Sequence, residues 1–302
     1  SDVYKRQDLI LPALLIKVLT HRPIVYDVHE NYPEDIQTKE WIPSVLRGVL
    51  SPAFGLFEDS VVRLMDGVVV VNQHLAERFQ GRSRVVIVRN YSRLKPFLDT
   101  QTPVESQKPY FVYAGRISDD RGIYECLQAL ESLPDNPAAL LCAGTIGHVT
   151  NEEFRGLLDG RFHPSFEYLG LLPYEAIPPL FKGALAGLLC FQPTPNNLLG
   201  TPNKLFEYMS AGIPVIASDF PFLREVIEEA QCGILVQPDD VNQIASAMAT
   251  LLSDPEQAAQ MGEKGQRAAR DKYNWQVEEV KLLSLYQELL AGSDMTPKDE
   301  GS

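Results

Sequence analysis

Cysteine is scarce in this sequence. The four cysteines, Cys126, Cys142, Cys190 and Cys232, stand far apart, with no CxxC and no Cys/His cluster. That leaves no framework for structural zinc or thioredoxin-like redox chemistry. Each lies in or beside an apolar stretch, as thiols buried in a reducing compartment do. No run of ~20 apolar residues is present, so no transmembrane helix is predicted. The patterns GxxxxGK[ST], GxGxxG and GxSxG are absent, which removes the P-loop, the dinucleotide fingerprint and the nucleophile elbow. No His/Asp spacing suggests a metal site, and the Asp119-Asp120 pair reads as turn chemistry, so neither a metal nor a bound cofactor is expected. Positive charge is also short: 27 Lys+Arg against 40 Asp+Glu gives −13, which argues against nucleic acid as a partner.

The deficit is uneven. Through Val104 there are 13 basic and 12 acidic residues, and the remainder carries 14 against 28. An anionic ligand of the acidic part must therefore be held by local Arg or Lys groups, which makes each one informative. The chain also lacks an initiator Met and a signal peptide. Its first seven residues, SDVYKRQ, resemble translated adapter read-through at the ends of metagenomic gene fragments. The expectation is a chain whose native beginning is missing, with a short native strand as the alternative.

With 302 residues, 45% of them hydrophobic, two domains of ordinary size are expected. Residues 8–20 read as a helix, 23–30 as a buried parallel strand, 41–65 as two helical pieces broken at Pro43 and Pro52, and 66–72 and 83–90 as further strands. Residues 92–109 are Pro-rich and polar and mark the domain border. Beyond them helices alternate with strands at 110–116, 138–144, 166–170, 186–191, 213–219 and 232–238. The rhythm is that of a doubly wound parallel sheet. The expected parts are a partial first domain at 8–104, a second at 105–272, a crossover helix at 273–292 and a disordered tail at 293–302. The stretch 41–65 reads first as a buried helix, with peripheral membrane contact as the alternative.

Open α/β sheets bind ligands beyond the carboxyl ends of their strands. After strand 186–191 comes Thr201-Pro202-Asn203-Lys204, with Thr at the N-cap and Pro at the first helical position. A helix start suits a diphosphate; Lys204 adds a cation. Glu207, three residues on, shares its face and suits vicinal hydroxyls such as those of a ribose. An ordinary surface acid is the plainer reading of Glu207. After strand 110–116, Gly115 allows close backbone approach, and Arg116 and Arg121 form an anion clamp. Salt bridges to Asp119 and Asp120 are the alternative. His29 ends strand 23–30 and suits a substrate hydroxyl or phosphate, or a structural role.

These segments, AGRISDDRG, PNKLFEYMSAGIPVIASDFPFLREVI and GILVQPDD, resemble the carboxyl-terminal domain of retaining family 4 glycosyltransferases. VYDVHENYPE and VIVRNYS resemble signatures of that family's first domain. The resemblance implies the GT-B architecture, two Rossmann-like domains facing across a cleft, the first incomplete here. It also implies sugar transfer from a UDP- or GDP-sugar to a glycan or lipid-linked hydroxyl, with retention, in cytoplasmic assembly of surface polysaccharide or glycolipid. Arg116 and Arg121 would bind the donor diphosphate, the latter where the family has Lys. His29 would lie near the donor sugar. Gly115, Thr201, Pro202, Asn203, Lys204, Leu205 and Glu207 would form the donor site, Glu207 holding the ribose. Leu199 stands where the family has an acid that contacts the transferred sugar. A nucleotide-sugar epimerase of the same fold, or an inactive nucleotide-binding fragment, are the competing readings.

Overall fold

The computed structural model describes residues 10–38, 42–100, 102–104, 106, 108–135 and 137–293. The expectations for residues 1–7 and for the tail beyond Ser293 fall outside them. The chain divides into two units. The first gathers the described residues up to Asn90 and those from Gln276 onward; the second is Tyr91–Trp275.

In the first unit, β1 (Val25–Val28), β2 (Gly67–Val70) and β3 (Val85–Ile87) form a parallel sheet in the order β1-β2-β3. Val25 stands opposite Gly67, and Val68 opposite Val85. The central strand is buried throughout, which is why its sequence is an unbroken apolar run. Helix Gln73–Phe79 follows it, capped by Asn72, whose side chain accepts from Leu75 N at 2.9 Å. Residues 44–62 form one continuous helix through Pro52 rather than two pieces. Packing on both sides of the proline sustains it. Ser51 donates to Pro33 O at 2.7 Å, and Glu58, Val61 and Val62 are buried beyond it. Glu58 is fully buried; it accepts from the Tyr26 hydroxyl at 2.7 Å and pairs with Arg78 at 2.7 Å. From helix Trp275–Ser293, buried Glu278 accepts from Arg89 N at 2.9 Å and pairs with Lys281. That contact ties the end of the chain to the segment after β3. No helix among the described residues is long and apolar enough to cross a membrane.

The second unit holds six parallel strands: β4 (Tyr110–Ala114), β5 (Ala139–Ala143), β6 (Phe166–Tyr168), β7 (Ala186–Leu189), β8 (Val215–Ser218) and β9 (Gly233–Val236). Their order is β6-β5-β4-β7-β8-β9, the doubly wound order of a Rossmann-like sheet. The chain winds outward from β4 in one direction and from β7 in the other. Helices 123–131 and 241–253 pack on each other, and helix 203–211 packs on 177–182 and 255–271. The expected border at 104/105 lies inside this unit, because the residues ahead of it supply core aromatics. The Tyr91 ring lies 4.4 Å from Phe206 and 5.6 Å from Tyr273, and Phe97 stacks on Phe181 at 6.1 Å. Composition marked 92–109 as the domain border, yet Phe97 within it belongs to the second core. At the other end Tyr273 is buried, and Asn274 donates to the Ala269 and Arg270 carbonyls, so both stay with the second unit. Tyr273 rather than Trp275 is the buried aromatic there.

Burial of phenols gives a pH dependence with a definite sign. Tyr110 is buried at the start of β4, donates to Leu180 O at 2.8 Å, and burial pushes its hydroxyl from 10.0 up to about 12. The folded state then holds this proton more tightly than the unfolded state. Its stabilisation is complete below pH 10 and is lost as pH rises toward 12. Urea unfolding at a series of pH values should show stability falling in that window, with a shallower slope for Tyr110→Phe. An unchanged slope would contradict the assignment.

Candidate active site

The reversal of winding direction between β4 and β7 leaves a crevice at their carboxyl ends, and two loops enter it. The loop after β4 carries Gly115, Arg116 and Arg121. The Tyr113 hydroxyl donates to Arg116 O at 2.8 Å and fixes the first bend. At Gly115 an added Cβ would meet that same hydroxyl at 3.0 Å, so the missing side chain makes room for Tyr113. Asp119–Arg121 form one 3-10 turn, with the Asp119 carboxylate accepting from Thr150 N at 2.9 Å and Asp120 accepting from the Ser118 hydroxyl. Gly122 then has φ +65°, and a Cβ there would lie 1.8 Å from Cys190 O. Only glycine lets the β4 loop approach the end of β7 so closely.

The loop after β7 closes the same contact from its side. Gln192 N donates to Asp120 O at 3.0 Å. Thr194 caps the short helix Pro195–Leu199, and Asn197 within it is buried. The Asn197 amide donates to Asp120 O at 3.0 Å and to Gln192 O at 2.9 Å, and its oxygen accepts from Arg121 at 3.1 Å. The Arg121 guanidinium sits 4.7 Å from the centre of the Phe191 ring and 3.4 Å from Asp120. Ser218, at the end of β8, donates to Phe191 O at 2.7 Å and braces this strand end.

The chain then enters helix Asn203–Ala211. Its N-cap is Pro202, with φ −71° and ψ 120°, and no side chain caps it. The sequence had Thr201 as the cap and Pro202 as the first helical residue. The extended ψ of Pro202 moves the helix start one residue on, beyond a capping role for the Thr201 hydroxyl. The first turn is thus left with N–H groups and the positive dipole end that favour an anion. Lys204 pairs with Glu207 at 2.7 Å, the contact their spacing implies. Glu207 is buried rather than an ordinary surface acid. Leu205 is fully buried and its N–H bonds Pro202 O at 3.2 Å, so its side chain belongs to the core and offers nothing to a ligand.

Gly115, Arg116 and Arg121 lie on the loop that leaves the carboxyl end of β4, and Thr201, Pro202, Asn203, Lys204 and Glu207 follow the one that leaves β7; the Arg121 contacts to Asn197 and Phe191 join the two loops, while the Arg116 side chain lies beside Gly147, in the loop after β5. Of the cations, Arg121 and Lys204 already have partners, whereas Arg116 is exposed and makes no ion pair among the described residues. The alternative of salt bridges to the aspartates thus applies to Arg121 and Asp120 only. His29 lies in the first unit just beyond β1, its Nε2 3.0 Å from Asp27 and its Nδ1 3.4 Å from the Asn90 amide. Three residues were not foreseen. Asn197 sits in a stretch, QPTPNNLLG, that reads as a plain turn. Tyr174 and Arg93 carry no motif. Burial pushes the Tyr174 hydroxyl up, the Glu207 carboxylate adds to this and Arg93 opposes it. Among the described residues no group of three or more His, Cys, Asp or Glu is placed to hold a metal ion.

Parallel sheets of this order make an α/β Rossmann-like fold, and solved glycosyltransferases place it in the GT-B class. A glycosyltransferase from Rickettsia africae shares the fold at TM-score 0.69 and 17% identity, covering 96% of this chain and 84% of that one. The Anabaena protein HepE, solved with UDP, shares it at TM-score 0.66 and 15% identity, covering 93% and 76%. In sequence, the glycogen synthase of Mycobacterium tuberculosis is 23% identical over 303 residues, 94% of this chain and 68% of that enzyme. The family model "Glycosyl transferases group 1" matches residues 95–268, and the chain belongs to that family.

The Asn197 contacts generate a prediction. Asn197→Ala leaves the Asp120 and Gln192 carbonyls and the Arg121 guanidinium without their shared partner. The expected loss is roughly 1–3 kcal/mol of unfolding free energy, read by urea denaturation. A loss below ~0.5 kcal/mol, the usual scatter of surface changes, would show that the amide is not holding the loops.

Proposed function

We propose that the second unit binds a nucleotide diphospho-sugar, UDP- or GDP-linked, and that the enzyme transfers the sugar with retention to an acceptor hydroxyl. The observation that carries this reading is the joined pair of loops at the reversal point. The loops leaving β4 and β7 carry an exposed Arg116, the Arg121 guanidinium and an uncapped helix start at the same carboxyl edge of the sheet. That arrangement is suited to two adjacent phosphates. The Anabaena relative of the same fold is solved with UDP, which supports the same ligand class here.

In this reading Arg116, Arg121, Lys204 and the N–H groups at Asn203 and Lys204 hold the diphosphate. Gly115, Thr201 and Pro202 shape the backbone around it, and Glu207 receives the ribose hydroxyls. Glu207 must exchange its bond to Lys204 for those hydroxyls, which frees the ammonium for phosphate. His29 is the residue assigned to the donor sugar in this reading. The bond from the anomeric carbon to the phosphate oxygen breaks as the acceptor oxygen bonds to the same face of that carbon. The acceptor proton passes to the departing phosphate. Retention follows from same-face attack, and no carboxylate nucleophile is needed. The protein supplies position and positive charge where negative charge develops. An acceptor on a glycan or lipid carrier, at the inner face of a membrane, and a role in surface polysaccharide or glycolipid assembly complete the proposal.

Arg116→Ala should lower turnover by about 10²–10³, the cost of one lost donor at a developing charge, while circular dichroism shows a folded chain. Near-normal transfer by a folded Arg116→Ala enzyme sinks the reading. Because these cations supply the charge, transfer should also survive EDTA.

A further inference from the structure

The lip of the crevice between Phe191 and Asn203 differs from the opposite lip. The loop after β4 carries Arg116, Asp119, Asp120 and Arg121, whereas residues 191–203 contain no charged side chain at all. Within that stretch Asn197 turns inward and is consumed by the Asp120, Gln192 and Arg121 contacts. This pins the short helix Pro195–Leu199 and leaves Leu198 and Leu199 facing solvent at 38% and 50% exposure. Two exposed leucines on a rigidly held turn are thus four or five residues from the uncapped start of helix Asn203–Ala211. Four residues of chain reach no more than about 14 Å. Helix Pro195–Leu199 also packs on helix 221–230.

A sugar joined to a diphosphate at that helix start extends along one of the two lips. Glu207, one turn further in, takes the ribose side, and the sugar is left with the leucine lip. A plain hexose would turn a hydroxyl or hydroxymethyl group to that lip, where it loses water without gaining a partner, and each unmatched hydroxyl is costly. A methyl group would instead gain apolar contact. Resting on the nucleotide-sugar reading above, we propose that the donor sugar carries a methyl group seated against Leu198 and Leu199. A 6-deoxy sugar or the acetamido group of an N-acetylated sugar would supply it.

The test is isothermal titration in three steps. Free UDP and GDP first identify the nucleotide. The matching pair of sugar nucleotides is then compared: UDP-glucose with UDP-N-acetylglucosamine, or GDP-mannose with its 6-deoxy counterpart, GDP-D-rhamnose. Each Kd is taken relative to that of the free nucleoside diphosphate. The methyl-bearing sugar should bind roughly tenfold tighter, the lower end of what a methylene-sized apolar difference in a hydrophobic pocket confers. Leu199→Glu should remove or reverse the preference, and Leu198→Ala should weaken it. Equal affinities, a preference for the plain hexose, or a preference untouched by Leu199→Glu would overturn the proposal while leaving nucleotide binding standing. Failure of both free nucleotides to bind would overturn the parent reading itself, and this inference with it.

Discussion

The amide of Asn197 holds the second unit's crevice in shape. Its two N–H groups take the carbonyls of Asp120 and Gln192, and its oxygen takes Arg121. The loops it joins leave strands whose connections run in opposite directions, so chain continuity does nothing to keep them together. The close approach of Gly122 to Cys190 supplies the steric half of that constraint, and the amide supplies the polar half. The placement of Arg121, the outward turn of Leu198 and Leu199, and the entry of the chain into helix Asn203–Ala211 all follow from this joint.

The electrostatics follow from the same geometry. A chain of net charge −13 repels anions at long range. The proposed recognition of a diphosphate must therefore come from groups within bonding distance. Arg121 and Lys204 are kept in place by partners that a ligand can replace or share, and Arg116 stands ready without one. Helix Asn203–Ala211 adds the dipole end that Pro202 leaves uncapped. The back of this helix is anchored as firmly as its front is open. Phe206 packs with Tyr91 and Tyr273, and Ser210 meets Ser92 at 3.2 Å.

Much of the fold could be read from the sequence because buried parallel strands announce themselves. AALLCAG, AGLLCF and IPVIASD are apolar runs too short for helices and bounded by glycine or charge, and each contains a strand. Asp240 as a cap was equally legible; its carboxylate accepts from Asn242 and Gln243 N at 3.0 Å. The misreadings share a cause, which is that local signals were overridden by packing. Pro52 did not break its helix, because Ser51 and Glu58 are fixed by contacts distant in sequence. Prolines and polar residues at 92–109 suggested a domain border, yet Tyr91 and Phe97 fill the second core. Thr201 lost the cap to a single backbone angle at Pro202, which no residue type encodes. Asn197 was invisible because its importance lies in three partners, two of them more than seventy residues away. The pairing of Lys204 with Glu207, by contrast, is set by helix spacing alone and was there to be read.

The proposed function depends on one central claim, that a nucleoside diphosphate sits at the start of helix Asn203–Ala211. A crystal structure of the chain soaked with UDP or GDP tests this directly. The account predicts phosphate oxygens within hydrogen-bonding distance of the Asn203 or Lys204 N–H and of the Arg116 guanidinium, with Glu207 turned from Lys204 to the ribose. A nucleotide bound elsewhere in the second unit, or bound at this crevice with the Lys204–Glu207 pair intact and Arg116 unused, would contradict it.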